Sequence, residues 1–319
     1  MEIVPTTFRR SYNIFIVHDR INLSFLGVIR IPADVQNRRL TNGFMLTRVG
    51  VTDVKKPVRV TRAGRTTTLF CSIDVFVDLP STQKGSHLSR NLEAINEAVE
   101  KSNREAVAGI EVIAAEICRA LREKHEYSTY AEVHLIADYF MERPGPSGKR
   151  TLEPFKIMAK ATSRNSSGLK KMIGVQVIGM TACPCAMETV RELYRGKVVF
   201  EDDLPVITHN QRNIATVMIE VPEEYDVEAN DLIDVVEASF SSPTFELLKR
   251  ADEATVVLRA HQNPKFVEDV VRAVLLRLLE KYTGLPDDVV VTVRSESEES
   301  IHKHNAFAER VTTLGDLRR

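Results

Sequence analysis

The stretch Thr66-Thr67-Thr68-Leu69-Phe70-Cys71-Ser72-Ile73-Asp74-Val75-Phe76-Val77-Asp78-Leu79 decides the fold class, because it alternates between apolar and polar side chains. Successive side chains of a strand point to opposite faces. One face of this segment is apolar throughout and carries Cys71, Ile73, Val75, Val77 and Leu79. The alternation predicts a strand with one buried face, and Ala63-Gly64 predicts the turn that joins it to a partner strand at residues 57–60.

The predicted elements follow the same order in both halves of the chain. In the first half, helical periodicity covers residues 91–102 and 107–124, and a strand pattern covers residues 131–140. The second half has predicted strands at residues 155–162, 171–180, 214–221 and 289–293, and predicted helices at 228–239 and from Pro264 to near Gly284. Hairpins followed by helices indicate an α+β fold with antiparallel sheets, rather than a doubly wound parallel sheet.

This repeated order predicts an internal duplication. We expect an N-terminal extension at residues 1–32, a first half at 33–150 and a second half at 151–319 that carries the candidate site. The loop signal Pro144-Gly145-Pro146-Ser147-Gly148 precedes the division between the halves. At 319 residues, the chain is long enough to bury a sizeable core in two such halves.

The composition excludes several functional classes. The formal net charge is −1, so no global field attracts nucleic acid or a membrane surface. No apolar run reaches the roughly 18 residues that a membrane span needs, and residues 1–31 lack the features of a signal peptide. The four cysteines are too few for a disulfide framework and predict a reducing, cytoplasmic location.

Cys183-Pro184-Cys185 places two thiols two positions apart, shortly after a predicted strand. On an extended segment these side chains lie about 7 Å apart, whereas two thiolates on one ion, each about 2.3 Å from it, must come closer together. We therefore expect one thiolate to bind a metal and the other to act beside it. A pair of buried cysteines at a strand end is an equally open interpretation, and the spacing disfavours a Cys-X-X-Cys redox pair.

Further polar motifs follow downstream. His209-Asn210-Gln211-Arg212 stands directly before a predicted strand, where a ligand projects from the strand start, although a solvated loop is the alternative. Glu253 follows a basic segment, and Glu268 lies in the first turns of the predicted long helix. Carboxylates near a helix start usually complement the helix dipole. A carboxylate is also able to accept hydrogen bonds from the ring N–H and the amine of a guanine.

Glu299, His302 and His304 form the last cluster. We expect the two histidines to share one face of a strand or to flank a turn. Imidazoles titrate near neutrality and suit proton transfer, while a His-rich surface segment is the alternative interpretation. Basic residues near Gly and Ser loops are candidates for phosphate contacts, and ordinary surface charge is the alternative interpretation. The basic residues considered are Lys84, Arg90, Arg164, Lys170, Lys171, Arg212 and Lys303.

Together these motifs resemble those of the type IB GTP cyclohydrolases. The resemblance covers the chain from about residue 33 onward and rests on Gln83-Lys84-Gly85-Ser86-His87-Leu88-Ser89-Arg90 and on residues 179–185, 209–212, 242–250, 263–269 and 299–305. The segment Leu46-Thr47-Arg48-Val49-Gly50-Val51-Thr52 is more similar to the archaeal branch, which is the ferrous-dependent enzyme of the methanopterin pathway.

The resemblance implies the tunnelling fold (T-fold) in tandem halves, whose antiparallel sheets carry helix pairs on one face. It also implies a homotetramer with active sites at the subunit interfaces. The implied substrate is GTP, and the implied cofactor is one Fe2+ per subunit, with Zn2+ or Mn2+ as alternatives. The implied products are formate and 7,8-dihydroneopterin 2′,3′-cyclic phosphate.

The resemblance also implies roles for residues. The implied metal ligands, which leave a position for the water that attacks C8 of the guanine, are Cys183, His209 and Glu253. Glu268 would hold the guanine edge. The implied substrate contacts are His87, Arg90 and Arg212. The implied proton-transfer groups are Cys185, Glu299, His302 and His304.

Three other interpretations stay open at this point. A bacterial-type enzyme would release 7,8-dihydroneopterin triphosphate after the same ring opening. A structural metalloprotein would have four protein ligands and no bound water, because structural zinc sites are closed. A T-fold protein that acts on a finished pterin would bind pterins and release no formate from GTP.

Overall fold

The described part of the chain contains one antiparallel sheet. The computed structural model describes residues 34–62, 64–198, 204–222 and 224–319. Its strands are β1 (Leu46–Arg62), β2 (Arg65–Leu79), β3 (Tyr130–Pro144), β4 (Arg150–Arg164), β5 (Gly168–Ala182), β6 (Asn210–Glu220), β7 (Ser242–Pro243), β8 (Val290–Glu298) and β9 (Ala306–Thr313). The sheet follows chain order from β1 to β6 and continues to β8 and β9, while the short β7 pairs with β5.

Seven helices connect or follow these strands within the described residues. They are α1 (Leu88–Arg104), α2 (Ile110–Lys124), α3 (Pro184–Leu193), α4 (Ala229–Glu237), α5 (Arg250–Gln262), α6 (Val267–Lys281) and α7 (Leu314–Arg318). Helices α1 and α2 lie in sequence between β2 and β3, and α4 to α6 lie between β6 and β8. A search of these helices finds none with the length and apolar character of a membrane span.

The alternation in β2 matches its burial. Val75 is fully buried, whereas Phe70 on the opposite face is 79% exposed. In the sheet register, Ile73 faces Leu135 and Val75 faces Val133 of β3, and these four side chains are all fully buried. The apolar face therefore continues from strand to strand, as expected for an antiparallel sheet with one covered face.

Two amphipathic helices pack on strands of this sheet. Helix α2 contacts β3, β4 and β5, and its Ile113 and Ile117 are fully buried. Helix α6 contacts β8 and β9, and its Val270 and Val274 are fully buried. Burial of each such side chain stabilises the fold by about 1.5–3 kcal/mol, so these stripes hold the helices against the strands.

The predicted antiparallel strands and the helices after them are confirmed, with most boundaries within about five residues. Strand β1 is the exception, because it begins at Leu46 and the sequence predicted a strand only at residues 57–60. Gly64 has a φ angle of 75° in the predicted β1–β2 turn, a conformation that favours glycine. The long helix begins at Val267 and not at Pro264, because the N–H of Lys265 donates to the carbonyl of Ala182 and Phe266 is the N-cap. The start predicted at Pro264 is therefore wrong by three residues.

Five elements have no counterpart among the predicted ones: α3, α5, α7, β7 and β9. Helix α5 gives a weak periodic signal because its buried residues are only Asp252, Val256 and Ala260. Strand β9 is mostly exposed at the sheet edge. Short or solvated elements of this kind lack the apolar repeat on which the prediction depends.

The sheet passes through the predicted boundary at residue 150 without a break. Strands β3 and β4 pair from Tyr130 opposite Arg164 to Pro144 opposite Arg150. Residues Gln36–Arg319 form one compact unit. The division into halves and their duplication stay predictions, and the predicted extension at residues 1–32 lies outside the described residues.

Candidate active site

Strand register brings three distant motifs to one end of the sheet. Ala182 of β5 pairs with Asn210 of β6, and Arg212 of β6 pairs with Glu298 of β8. Cys183, His209 and Glu299 each lie directly beside one of these paired positions. The antiparallel pairing therefore gathers a thiol, an imidazole and a carboxylate from segments that are far apart in the sequence.

Cys183 is the N-cap of α3. Pro184 occupies the first helical position, and the Cys183 thiol accepts a hydrogen bond from the Ala186 N–H at 3.5 Å. A helix N-terminus presents backbone N–H groups that lack partners within the helix, and a side chain at the N-cap is able to accept from them. The local structure thus fixes the position of the Cys183 sulfur at the start of α3.

The prediction of an extended segment through Cys183 and Cys185 is wrong. Pro184 begins a helix, since its fixed φ suits the first helical position. Cys185 consequently lies in the first turn of α3 and is exposed, whereas Cys183 is half-buried. The different roles expected for the two thiols stay a prediction, because the strand geometry from which they were argued is absent.

His209 is held on two sides. Its carbonyl accepts the Cys183 N–H at 3.0 Å, and Thr208 Oγ1 donates to the Cys183 carbonyl at 2.7 Å. Its ring Nδ1 lies 2.9 Å from Gln211 Oε1 and 3.8 Å from Glu299 Oε2. The imidazole is only 12% exposed and the Glu299 side chain only 9%, so both groups are partly shielded from water.

His302 and His304 lie in the loop between β8 and β9, next to His209. The His209 and His302 rings meet edge to face with centroids 6.2 Å apart, and the His302 and His304 rings stack at 5.2 Å. Both loop histidines are exposed. The arrangement forms a row of three imidazoles that leads from the shielded site to the surface.

A cavity of about 180 Å³ opens beside these groups. Its lining residues come from β6, β8, β9 and the segments around α3 and α6: Cys183, Gln211, Lys265, Phe266, Val267, Glu268, Ser297, Glu299, Ala306 and Phe307. Cys183, Glu268 and Glu299, which the sequence singled out, therefore meet in one cavity. Its walls combine two carboxylates and a thiol with two aromatic rings.

Glu299 carries an unsatisfied oxygen in this cavity. Its Oε2 is buried and has no hydrogen-bond partner among the described residues. Its distance of 3.8 Å from His209 Nδ1 is too long for a hydrogen bond. A buried carboxylate oxygen without a partner is costly, so the site suits a ligand that supplies a cation or a donor.

Four predicted residues do not line this cavity. Glu253 is exposed in the first turn of α5, and Arg212 is exposed on β6. His87 is the N-cap of α1, and Arg90 Nη1 donates to the Lys124 carbonyl at 2.9 Å. Across the described ranges, no group of three or more His, Cys, Asp or Glu residues is arranged to hold a metal ion.

Sequence reasoning did not assign roles to several cavity residues. Lys265 is one of them: Nζ donates to the carbonyls of Ser239 at 2.9 Å and Phe240 at 3.2 Å, and burial lowers the pKa of this ammonium group. Phe266 and Phe307 are others. Their positions inside or directly after the quoted motifs were the available signal.

The chain belongs to the type I GTP cyclohydrolase family. Residues 33–308 match the family described as "Type I GTP cyclohydrolase folE2", which covers the complete sheet except part of β9. The protein is therefore an enzyme, a GTP cyclohydrolase.

The sequence is similar to those of curated proteins over nearly their whole length. GTP cyclohydrolase MptA of Methanothermobacter thermautotrophicus is 46% identical over 308 residues, which cover 92% of this chain and 96% of that protein. GTP cyclohydrolase MptA of Methanosphaera stadtmanae is 45% identical, with 89% and 96% covered. The protein of the same name from Methanosarcina mazei is 43% identical, with 90% and 96% covered.

Among solved structures, the uricase of Arthrobacter globiformis aligns with a TM-score of 0.49 and 7% sequence identity, over 86% of this chain and 94% of that one. This overlap is too loose to decide either the fold family or the function.

Proposed function

We propose that this GTP cyclohydrolase is of the archaeal, methanopterin-pathway kind within type IB. It opens the imidazole ring of GTP at C8, releases formate and forms 7,8-dihydroneopterin 2′,3′-cyclic phosphate in the cytoplasm. The observation that carries the proposal is the meeting of Cys183, Glu268 and Glu299 in one cavity beside His209. The similarity to proteins named GTP cyclohydrolase MptA favours this branch.

The donor set fits a divalent metal ion. The Cys183 sulfur lies at a helix N-terminus, the Cys183 N–H donates to the His209 carbonyl, and Glu299 Oε2 lacks a partner among the described residues. Thiolate, imidazole and carboxylate together accept Fe2+ and equally Zn2+ or Mn2+. We propose Cys183, His209 and Glu253 as the ligands of one Fe2+ per subunit, with Glu253 reaching the site in the assembled enzyme. Such an ion supplies a water of lowered pKa.

The chain's own residues account for the remaining chemistry. Glu268 accepts the guanine ring N–H and amine hydrogens and so orients C8. Glu299, His302 and His304 hold and move protons between C8, the ribose and solvent, because Glu299 lines the cavity and the His302 and His304 rings continue from His209 to the surface. Exposed Cys185, in the first turn of α3, is proposed as a further proton-transfer group.

The overall reaction balances without an oxidant or reductant. Addition of water at C8 breaks the C8–N9 bond, and a second water releases C8 as formate. The ribose carbons then rearrange and condense with loss of one water to form the pterin ring. To form the cyclic phosphate, a hydroxyl on the ribose-derived chain of the pterin attacks the phosphorus that is bonded to the same chain. The other two phosphates then leave as diphosphate.

We propose that the enzyme is a homotetramer of tandem T-fold subunits with active sites at the interfaces. A cavity of about 180 Å³ is smaller than the roughly 300–1,000 Å³ of typical ligand pockets, so GTP requires further walls. The open sheet face also exposes Phe70, Ile136 and Phe140. Exposed apolar surface of this kind marks interaction sites. His87, Arg90 and Arg212 are proposed to contact the substrate's phosphates in this assembly.

Anaerobic incubation with GTP and Fe2+, followed by formate assay and mass analysis of the pterin, tests the proposal. We expect formate and the cyclic phosphate, and neither with metal-stripped protein. Formate with 7,8-dihydroneopterin triphosphate would move the enzyme to the bacterial type. Absence of formate from folded, metal-loaded protein would contradict the assignment and favour a pterin-binding protein or a closed structural metal site.

A further inference from the structure

Gln211 connects the candidate metal site to the cavity wall. It is 9% exposed, lines the cavity with Cys183 and Glu299, and lies two positions after His209. Side chains at positions i and i+2 of an extended segment point to the same face, so the start of β6 places His209 and Gln211 side by side. Their separation is 2.9 Å between Nδ1 and Oε1, a good hydrogen-bond distance.

The chemistry of this contact determines the tautomer of His209. An amide oxygen only accepts hydrogen bonds, so Nδ1 of His209 carries the hydrogen and donates it to Gln211. In a neutral imidazole the other nitrogen, Nε2, then holds the lone pair. Nε2 is thereby the nitrogen that is available to a metal ion.

The nearest rival acceptor for this hydrogen is Glu299. Its Oε2 lies 3.8 Å from Nδ1, beyond hydrogen-bond distance, and has no partner among the residues that the structure describes. If Glu299 accepted the Nδ1 hydrogen, its carboxylate would already have a hydrogen-bond partner in the imidazole. The amide accepts this hydrogen instead, fixes the ring and leaves Glu299 Oε2 to a bound ligand.

We propose that Gln211 is a positioning residue: it holds the orientation of the His209 ring through Nδ1 and so leaves Nε2 for Fe2+. The inference rests on the proposed function, because it takes His209 as a metal ligand. Partners of this kind orient metal-bound histidines, and their removal typically weakens metal binding about 10- to 100-fold.

The test is the Fe2+ dissociation constant, measured without oxygen by competition with a chromophoric chelator on the full-length enzyme. Gln211→Leu keeps the size of the side chain and removes the acceptor, and we expect Fe2+ binding to weaken about 10- to 100-fold. Gln211→Glu restores an acceptor, and we expect its affinity to stay close to that of the wild type. A merely structural role for the amide would give no such rescue.

Gln176→Leu is the matched control. Gln176 lies on β5 on the opposite face of the sheet, and its Nε2 donates to Thr216 Oγ1 at 3.4 Å. The same loss of an amide there leaves Fe2+ affinity unchanged. Should Gln211→Leu fail to fold, Gln211→Asn provides a second loss variant, since its shorter side chain keeps an amide that cannot reach Nδ1.

The outcomes separate this inference from the proposed function. Wild-type protein that binds no Fe2+ would overturn both. Wild-type protein that binds Fe2+, together with Gln211→Leu or Gln211→Asn that binds it equally well, would overturn only the role of Gln211. Weak binding by the folded Gln211→Glu variant, equal to that of Gln211→Leu, would likewise contradict it.

Discussion

Glu268 and Asp269 are neighbours in the first turn of α6, but only one of them caps the helix. Asp269 Oδ2 accepts the Phe266 N–H at 3.0 Å, whereas the Glu268 side chain lines the cavity. The helix-capping role that acidic residues usually have at this place is therefore filled by Asp269. The side chain of Glu268 is therefore available for the substrate contact that we propose.

This division predicts opposite phenotypes for two adjacent substitutions. Glu268→Gln removes a charged acceptor for guanine, and since such a hydrogen bond contributes about 1.5–3 kcal/mol, we expect KM for GTP to rise at least about 10-fold. Asp269→Asn is the control: we expect a loss of about 0.5–2 kcal/mol in unfolding free energy with KM unchanged. Steady-state kinetics and thermal unfolding of both variants measure this. An unaltered KM in Glu268→Gln would remove Glu268 from substrate recognition.

The two thiols of the Cys183-Pro184-Cys185 motif are expected to differ in metal binding. Cys183→Ala removes the sulfur at the N-terminus of α3, and we expect the purified protein to lose its metal. Cys185→Ala, one step into the same helix, should retain metal and lose turnover. Metal content by elemental analysis decides the matter. A Cys183→Ala protein with the wild-type metal content would refute the ligand assignment.

A buried histidine far from the cavity predicts a pH dependence of stability. His125 is fully buried, its Nε2 lies 2.7 Å from Asn91 Oδ1 and its Nδ1 2.9 Å from Tyr127 Oη. Burial, with the nearby Arg90 and His87 charges, lowers the pKa of His125 from 6.5 to about 4. Between these values the unfolded chain binds a proton that the folded chain does not, so stability falls as pH drops from 6.5 to 4.

A shift of this size corresponds to about 3 kcal/mol. We expect the unfolding free energy of the wild type, measured with denaturant, to fall by about this much between pH 6.5 and pH 4 because of His125. The unfolding free energy of His125→Gln should fall correspondingly less. Above pH 7, His125 is neutral in both the folded and the unfolded state, so the unfolding free energies of the two proteins should change with pH in parallel. If the unfolding free energies of the wild type and His125→Gln fell equally steeply below pH 6.5, His125 would bind its proton in the folded state as it does in the unfolded state.

Close packing at the end of β5 predicts the effect of one methyl group. A Cβ added at Gly179 would lie 2.1 Å from Cδ2 of Phe240, which is itself buried. We expect Gly179→Ala to destabilise the fold by about 1–3 kcal/mol, the usual cost of overpacking. Gly284→Ala is the control, since its Cβ would meet no atom within 4 Å. Equal melting temperatures of the two variants would contradict this packing.

The sequence by itself determined the strands, the main helices and the identity of the polar motifs. The alternation in β2 predicts which side chains are buried, and the apolar stripe of α2 predicts the helix, because periods of two and 3.6 residues are local consequences of burying one face. The family resemblance, and with it the enzyme class, also came from motifs that are readable without a fold.

The tertiary structure decided how these motifs meet. Cys183 lies 85 residues before Glu268 in the chain, yet both line one cavity. Their meeting depends on the registers of β5, β6 and β8 and on the place where α6 begins, which are set by non-local pairing. The helical capping role of Cys183 and the stacked loop histidines are likewise products of packing, because neither has a periodic signature in the sequence.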